Sequence, residues 1–256
     1  MGNYMLCKRP LAKRPFHIEN IHLNIYSLEE LCYFLSTNLA LAEDVIGDPK
    51  LADWLLSECG FRKQIREYNA LPLERGRIAE RLNWIFGKSY YFNENEMRRL
   101  RIKTEAQDKW TEVEHQKKKG DALTRFGKYK HAIECYENVF KTDGIRNAGG
   151  HFKASVYHNM GYAYMQLFQG SLAMECFQKA VEQDSSWEFQ KAYLKAVYFE
   201  KGSNGLNEEI WNNKLSEEKL HEIQEEIKNV KKEKLPEETG ALLKKWIDTY
   251  HVNMGQ

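Results

Sequence analysis

Histidine and cysteine are the side chains of this sequence best suited to metal binding or nucleophilic chemistry. Eight histidines and five cysteines occur among the 256 residues. His151 and His158 lie seven positions apart, which on a helix is about 10 Å along the axis and too far to share a metal ion. His17 and His22 fit no common spacing of zinc ligands. We therefore expect no metal site, and we interpret the histidines as surface or groove residues.

The cysteines indicate structural thiols in a reducing compartment. Their number is odd, they are widely scattered, and no two stand at metal-ligand spacing, so reduced thiols in a cytoplasmic protein explain them better than disulfides. Cys135 and Cys176 each precede an aromatic residue of a helical pattern, and we interpret both as small core residues. The five positions are Cys7, Cys32, Cys59, Cys135 and Cys176.

Other catalytic patterns are incomplete. The stretch "GKSY" at 87–90 ends like a phosphate-binding loop, but Leu82 stands where the loop needs a glycine to turn the backbone around the anion. The carboxylates of "EEKLHEIQEE" form a solvated helix face, and no serine lies in a nucleophile elbow. We expect no enzymatic activity and no cofactor.

Charge and hydropathy limit the partners. Lys and Arg total 38 and Asp and Glu total 37, so no global field attracts nucleic acid or anionic lipid. No apolar run approaches the roughly 20 residues of a membrane helix, and the start "MGNYMLCKRPLAKRPF" does not read as a secretion signal. We expect a cytoplasmic protein without membrane contact. The basic segment 98–103 leaves nucleic-acid binding as an alternative.

An internal repeat decides the fold. Two segments share a glycine, an alanine twelve residues later and an aromatic residue four further on. The aligned pairs are Gly120 with Gly161, Ala132 with Ala173, and Tyr136 with Phe177. This pattern resembles the tetratricopeptide repeat, in which small residues let two antiparallel helices approach while aromatics fill the interface. The glycines lie 41 residues apart instead of the usual 34, and the glycine-rich "KTDGIRNAGGHFK" predicts a loop between lengthened helices.

The resemblance implies an all-α fold of antiparallel helix pairs, with two full repeats and a third half-repeat. The half-repeat is the helix "SSWEFQKAYLKAVYFEKG", which "GSNG" at 202–205 ends. Two charged helices, "LSEEKLHEIQEEIKNVKKEKL" and "PEETGALLKKWIDTYHV", would then cap the array. We predict three regions: 1–106 as an N-terminal helical domain with a short extended arm, 107–201 as the repeats, and 202–256 as the capping helices.

Local signals predict the elements of the N-terminal region. The alternation of Ile21, Leu23 and Ile25 favours a strand or an extended arm. Helix starts are predicted by Ser27 with Glu30, by Asp48-Pro49 and by Asn93 with Glu96. A further helix is predicted over "PLERGRIAERLNWIF", with Leu73 on its apolar face. The stretch "NIYSLEELCYFLSTN" is similar to the N-terminal region of tetratricopeptide proteins from anaerobic Gram-positive bacteria, a group that brings no activity with it.

The resemblance implies a non-catalytic adaptor that binds a peptide or protein segment along the concave face formed by the first helices of the repeats. Asp121 stands where a chaperone-binding carboxylate clamp would need asparagine, so we reject that clamp and expect an extended or helical ligand with apolar anchors. Alternatives are a regulatory peptide or co-chaperone receptor whose C-terminal helices move, and a homodimer through the third helix. The groove candidates are Lys117, Asp121, Thr124, His158, Asn159, Tyr162, Met165, Gln166, Phe189 and Tyr193.

Overall fold

The computed structural model describes residues 11–74, 76–212, 216–228 and 243–249. The chain divides into two units, residues 1–122 and 123–256.

The first unit opens with a β-hairpin. Strand β1, Phe16–Ile18, pairs antiparallel with β2, Leu23–Ile25, and Phe16 lies opposite Ile25. A 3-10 turn joins the strands and ends at His22, whose φ is 52°. The alternation in the sequence indicated β2, whereas β1 was not predicted. The hairpin is held by its buried face, because Phe16 and Ile25 are each only 3% exposed.

Seven helices follow, and the last of them crosses into the second unit. They are α1 Leu28–Thr37, α2 Leu39–Gly47, α3 Pro49–Ser57, α4 Ile65–Ala70, α5 Ala79–Ser89, α6 Glu94–Gln107 and α7 Glu112–Arg125. Three predicted starts are confirmed. The Ser27 side chain accepts a hydrogen bond from the Glu30 amide, Asp48 caps α3 with Pro49 in the first turn, and Asn93 with Glu96 forms a complete capping box.

The predicted helix from Pro72 begins later than expected. Helix α5 starts at Ala79, and Leu73 is 48% exposed instead of packing on a helical face. The buried guanidinium of Arg81 donates to the carbonyl oxygens of Leu71 and Pro72. These bonds stabilise an extended segment where periodicity alone predicted a helix.

The second unit is a series of helices. They are α8 Tyr129–Lys141, α9 Gly150–Gln166, α10 Gly170–Gln183, α11 Trp187–Asn212 and α12 Glu217–Lys228. A 3-10 turn, Asp143–Asn147, separates α8 from the 17-residue α9. This confirms the predicted loop and the lengthening of the helix after it. Residues 243–249 are also helical, and the rest of the predicted last helix lies outside the described residues.

Helices α9 and α10 form an antiparallel pair. A Cβ on Gly150 would contact the Gln183 carbonyl at 2.5 Å, and one on Gly161 would contact the Phe177 ring at 3.0 Å. Early residues of α9 therefore meet late residues of α10. Ala173 and Ala180 are both fully buried. The small residues thus occur where the helices approach closely, as the repeat pattern predicted, and the fold is all-α with tetratricopeptide-like helix pairs.

In each repeat, the turn between the first and the second helix contains a residue with a left-handed backbone conformation. Gly127, Phe168 and Gly202 have φ values of 70°, 58° and 69°. In the first two turns the following amide, Lys128 N or Gln169 N, donates to a carbonyl five residues earlier, at 2.9 and 3.0 Å. The three positions are separated by 41 and then 34 residues, and the second interval is the ordinary length of a tetratricopeptide repeat.

Helix α11 is the first helix of the third repeat, and it breaks at Gly202, as "GSNG" predicted. The chain then forms a second helical segment that ends at Asn212. The two segments run antiparallel. The Tyr193 side chain hydrogen-bonds Glu209, and Leu194 shares a buried cluster with Leu206. This second helical segment was not predicted from the sequence.

Helix α12 packs on α11 and covers its apolar face. Ile223 is fully buried against Leu194 and Leu206. Lys191 pairs with Glu222 and with a second carboxylate of α12, both at 2.9 Å. Within the described ranges, no helix has the length and apolar character needed to cross a membrane.

Candidate functional site

The α9 helix presents three of the predicted groove residues on one face. Asn159, Tyr162 and Gln166 are spaced three and four residues apart, which places them on one side of a helix. Tyr162 is 46% exposed, Gln166 is exposed and Asn159 is half-buried. The Tyr162 ring lies edge-on to Tyr129, the first residue of α8, with the ring centroids 6.5 Å apart. Tyr129 was missed because its position at a helix start gives no periodic signal.

The α9 face is nearly free of formal charge. Among residues 150–166, Lys153 is the one Lys, Arg, Asp or Glu residue. Asn159 and Gln166 each offer an amide donor and a carbonyl acceptor, and Tyr162 offers a ring with a hydroxyl group. Such a face offers hydrogen-bonding groups and apolar area but little electrostatic attraction.

His158 lies on the same helix but faces the helix interface. Its ring is 5.3 Å from Phe177 and 5.6 Å from Phe189, centroid to centroid. Burial lowers the pKa of His158, and the nearby Glu188 carboxylate opposes this shift only in part. His158 Nδ1 is buried without a hydrogen-bond partner within the described residues. His158 therefore packs at the helix interface, where its lowered pKa favours the neutral imidazole.

Two other candidates also belong to the packing. Phe189 is 3% exposed, in a cluster with Ala154 and Ala180, so its placement in the groove was wrong. Alignment gave its position on the helix but not the depth to which α9 and α10 bury it. Met165 is half-buried beside the Ala173 and Phe177 cluster.

Tyr193 is half-buried between two clusters of the second unit. Burial is the main cause that raises its pKa to about 12, and the Glu209 carboxylate acts in the same direction. Its hydroxyl therefore remains protonated and donates to Glu209. Tyr193 packs on the same cluster as Met165 of α9, and it also lines a cavity between α10 and α11.

The α7 candidates fall in different units. Thr124, in the second unit, is half-buried, with Oγ1 3.2 Å from the Tyr136 hydroxyl. In the first unit, Lys117 Nζ lies 2.8 Å from Asp121 Oδ2. The lysine is therefore paired with a neighbour on its own helix.

Features suited to nucleophilic or metal chemistry are weak. Burial raises the pKa of Cys32 to about 12 and that of Cys176 to about 11, so both remain thiols at neutral pH. His151 Nδ1 lies 2.7 Å from Asp184 and lowers the pKa of that carboxyl as part of a surface pair. Among the residues whose placement is described, no three His, Cys, Asp or Glu side chains are grouped to hold a metal ion.

The basic segment 98–103 lies on α6, where its Arg and Lys side chains are exposed. Arg98 approaches Glu94 at 3.9 Å, and Ile102 is 68% exposed. The segment contains no aromatic residue on which a base could stack.

Comparison with protein families agrees with this geometry. Residues 154–186 match the family described as tetratricopeptide repeat. The match spans most of α9, all of α10 and the turn into α11, which is the helix pair built around Gly161 and Phe177. The match and the antiparallel pairs support a protein of the tetratricopeptide type, a family whose members typically mediate protein–protein interactions. No curated protein matches the chain.

Proposed function

We propose that the protein is a non-catalytic adaptor that binds an extended or helical segment of a partner protein along the α9 face of its repeats. The partner segment would place an apolar side chain against Tyr162 and Tyr129, with its backbone hydrogen-bonded by Asn159 and Gln166. Buried thiols at Cys32 and Cys176 support a reducing, cytoplasmic setting.

One observation carries this proposal: Tyr162 remains 46% exposed at the centre of a helix whose other aromatic and methionine side chains, apart from the histidines, are buried or half-buried. An exposed tyrosine flanked by two amides combines the apolar area and the hydrogen-bonding groups found at the centre of protein interfaces. The low charge of α9 further indicates a partner segment without strong net charge. We expect the affinity to change little with salt, because few ion pairs would be screened.

Affinity capture from cell extract would test this function. The wild type would be compared with the Asn159→Ala, Tyr162→Ala double variant, and with Tyr33→Ala as a matched loss of an exposed tyrosine, 61% exposed on α1 of the first unit. Circular dichroism should first show equal folding. We expect one specific protein to be retained by wild type and Tyr33→Ala and lost by the double variant. Equal capture by all three would remove the α9 face from consideration.

A further inference from the structure

A second concave site lies between α10 and the two segments of α11. It is a cavity of about 290 Å³, close to the lower end of the ~300–1,000 Å³ range of small-molecule sites, which suits one side chain better than a larger ligand. Its lining includes Gln178, Glu182, Gln190, Tyr193, Leu194 and Glu209. It does not involve the α9 face, so the inference below is independent of the proposed function.

The polar lining brings several hydrogen-bond acceptors together. Glu182 and Glu209 bring two carboxylates from different helices, and the Tyr193 hydroxyl donates to Glu209. The Gln190 side-chain amide donates to the Ser185 carbonyl at 2.6 Å, which leaves its own oxygen as an acceptor. A ligand that supplies several donors would satisfy these acceptors.

Neighbouring lysines are directed to other partners. Lys191 pairs with Glu222 at 2.9 Å, Lys195 pairs with Glu226, and Lys179 lies over the Tyr157 ring, 6.0 Å from its centroid. In the part of the chain that the structure describes, Glu182 forms no ion pair. The cavity therefore has negative charge from its carboxylates and no lysine or arginine in its lining.

We propose that this cavity binds an organic cation: a guanidinium or primary ammonium group on an apolar stem, such as the arginine or lysine side chain of a bound polypeptide. The carboxylates of Glu182 and Glu209 would receive charge-assisted hydrogen bonds from the cation. Leu194 and the Tyr193 ring would contact the stem, and the ring face adds a cation–π attraction.

The test is an NMR titration of ¹⁵N-labelled full-length protein. The probes are the capped tripeptide Ac-Gly-Arg-Gly-NH₂, the same peptide with neutral citrulline in place of arginine, and free cadaverine. The variants are the Glu182→Gln, Glu209→Gln double variant and Glu175→Gln, a matched removal of an exposed α10 carboxylate outside the cavity. Glutamine keeps the shape of the glutamate side chain and removes its charge. The same spectra would show any loss of folding in a variant.

We expect the arginine peptide to shift the amide signals around Gln178, Gln190 and Glu209. Citrulline and the double variant should each weaken this binding about tenfold or more, as loss of a hydrogen bond to a charged group does. Glu175→Gln should bind like the wild type. Tighter binding of cadaverine than of the peptide would support the cation site and assign a free diamine as its ligand. No shift of lining signals at roughly 10 mM probe, equal binding of citrulline, or equal losses in both variants would overturn the proposal.

Discussion

The Phe177 ring of α10 lies directly against the backbone of Gly161 in α9. A Cβ at Gly161 would stand 3.0 Å from ring Cε1 and 3.1 Å from two further ring carbons. Contacts this short require the ring or the helix to move, so glycine at 161 sets the distance between the two helices. The aromatic ring and the missing side chain therefore act as one packing unit.

Gly161→Ala should lower the free energy of unfolding. Overpacking of this kind costs about 1–3 kcal/mol, whereas alanine returns about 1 kcal/mol of helix propensity, and we expect a net loss of about 1 kcal/mol by urea denaturation. Gly87→Ala is the matched control, because Gly87 is exposed in α5 with no atom within 4 Å of an added Cβ. It should be neutral or stabilising. If Gly161→Ala behaves like Gly87→Ala, the close packing inferred at Phe177 is wrong.

Phe168→Gly should stabilise the second unit. Phe168 has a φ of 58° and is 85% exposed, so its ring contributes little packing to offset a left-handed backbone. Glycine adopts this conformation without the penalty of a Cβ, and we expect a gain of about 1 kcal/mol. The thermal midpoint of the variant would measure it.

Gly127→Ala provides the reciprocal control at the equivalent turn, where φ is 70°. This change should destabilise the second unit by about 1 kcal/mol, because alanine has a Cβ and is strained in the left-handed conformation, as Phe168 is. A lowered midpoint for Phe168→Gly would show that the exposed ring makes a contact worth more than the strain.

Acid should weaken the packing around His158. Its pKa is lowered in the folded state, so the unfolded chain binds a proton more readily and stability falls as the pH drops below the ordinary value of 6.5. Above that value both states are neutral and the contribution is constant. We expect His158→Gln to show a smaller loss of urea midpoint between pH 7.5 and 5.5 than the wild type. His131→Gln, a change of an exposed histidine on α8, should keep the wild-type pH dependence; an identical pH dependence in all three proteins would exclude His158 as the cause.

Burial at Ile223 should hold α12 more strongly than its ion pairs do. Ile223→Ala removes a fully buried side chain and should cost about 2–4 kcal/mol of local stability. Hydrogen exchange of the α12 amides would report this loss. Lys191→Met removes two partly exposed ion pairs and keeps the aliphatic stem, so it should accelerate exchange far less. Faster exchange in Lys191→Met than in Ile223→Ala would show that the ion pairs hold α12 more strongly than the burial of Ile223 does.

Much of the fold follows from local sequence signals. Ser27 and Asn93 cap helices through bonds that span three residues, and the interval between Gly161 and Ala173 fixes a helix–turn–helix unit. The β1 strand was missed because its stability comes from pairing with β2 and from burial. Leu73 was misplaced because a distant guanidinium, that of Arg81, decides the backbone conformation there.

The candidate site was less predictable than the fold. Alignment assigned Tyr162 and Phe189 to the same groove, but α9 and α10 bury Phe189 whereas Tyr162 remains exposed. Depth of burial depends on how neighbouring helices pack, and a repeat pattern does not contain that information. The cavity at Glu182 and Glu209 was missed for a related reason, since Glu209 lies on the helical segment after Gly202 that the sequence did not indicate.

The 3-10 turn at Asp143–Asn147 lies where the spacing of the repeats varies along the chain, whereas the spacing within each helix pair does not. The twelve-residue interval within each helix pair is constant, whereas the period between the first two turns is seven residues longer than between the second and third. The additional length falls in the 3-10 turn, which has no buried residue, and in the longer α9. This turn is therefore a natural place for the chain to vary, and an epitope or affinity tag inserted there should be displayed without disturbing the helix pair that follows.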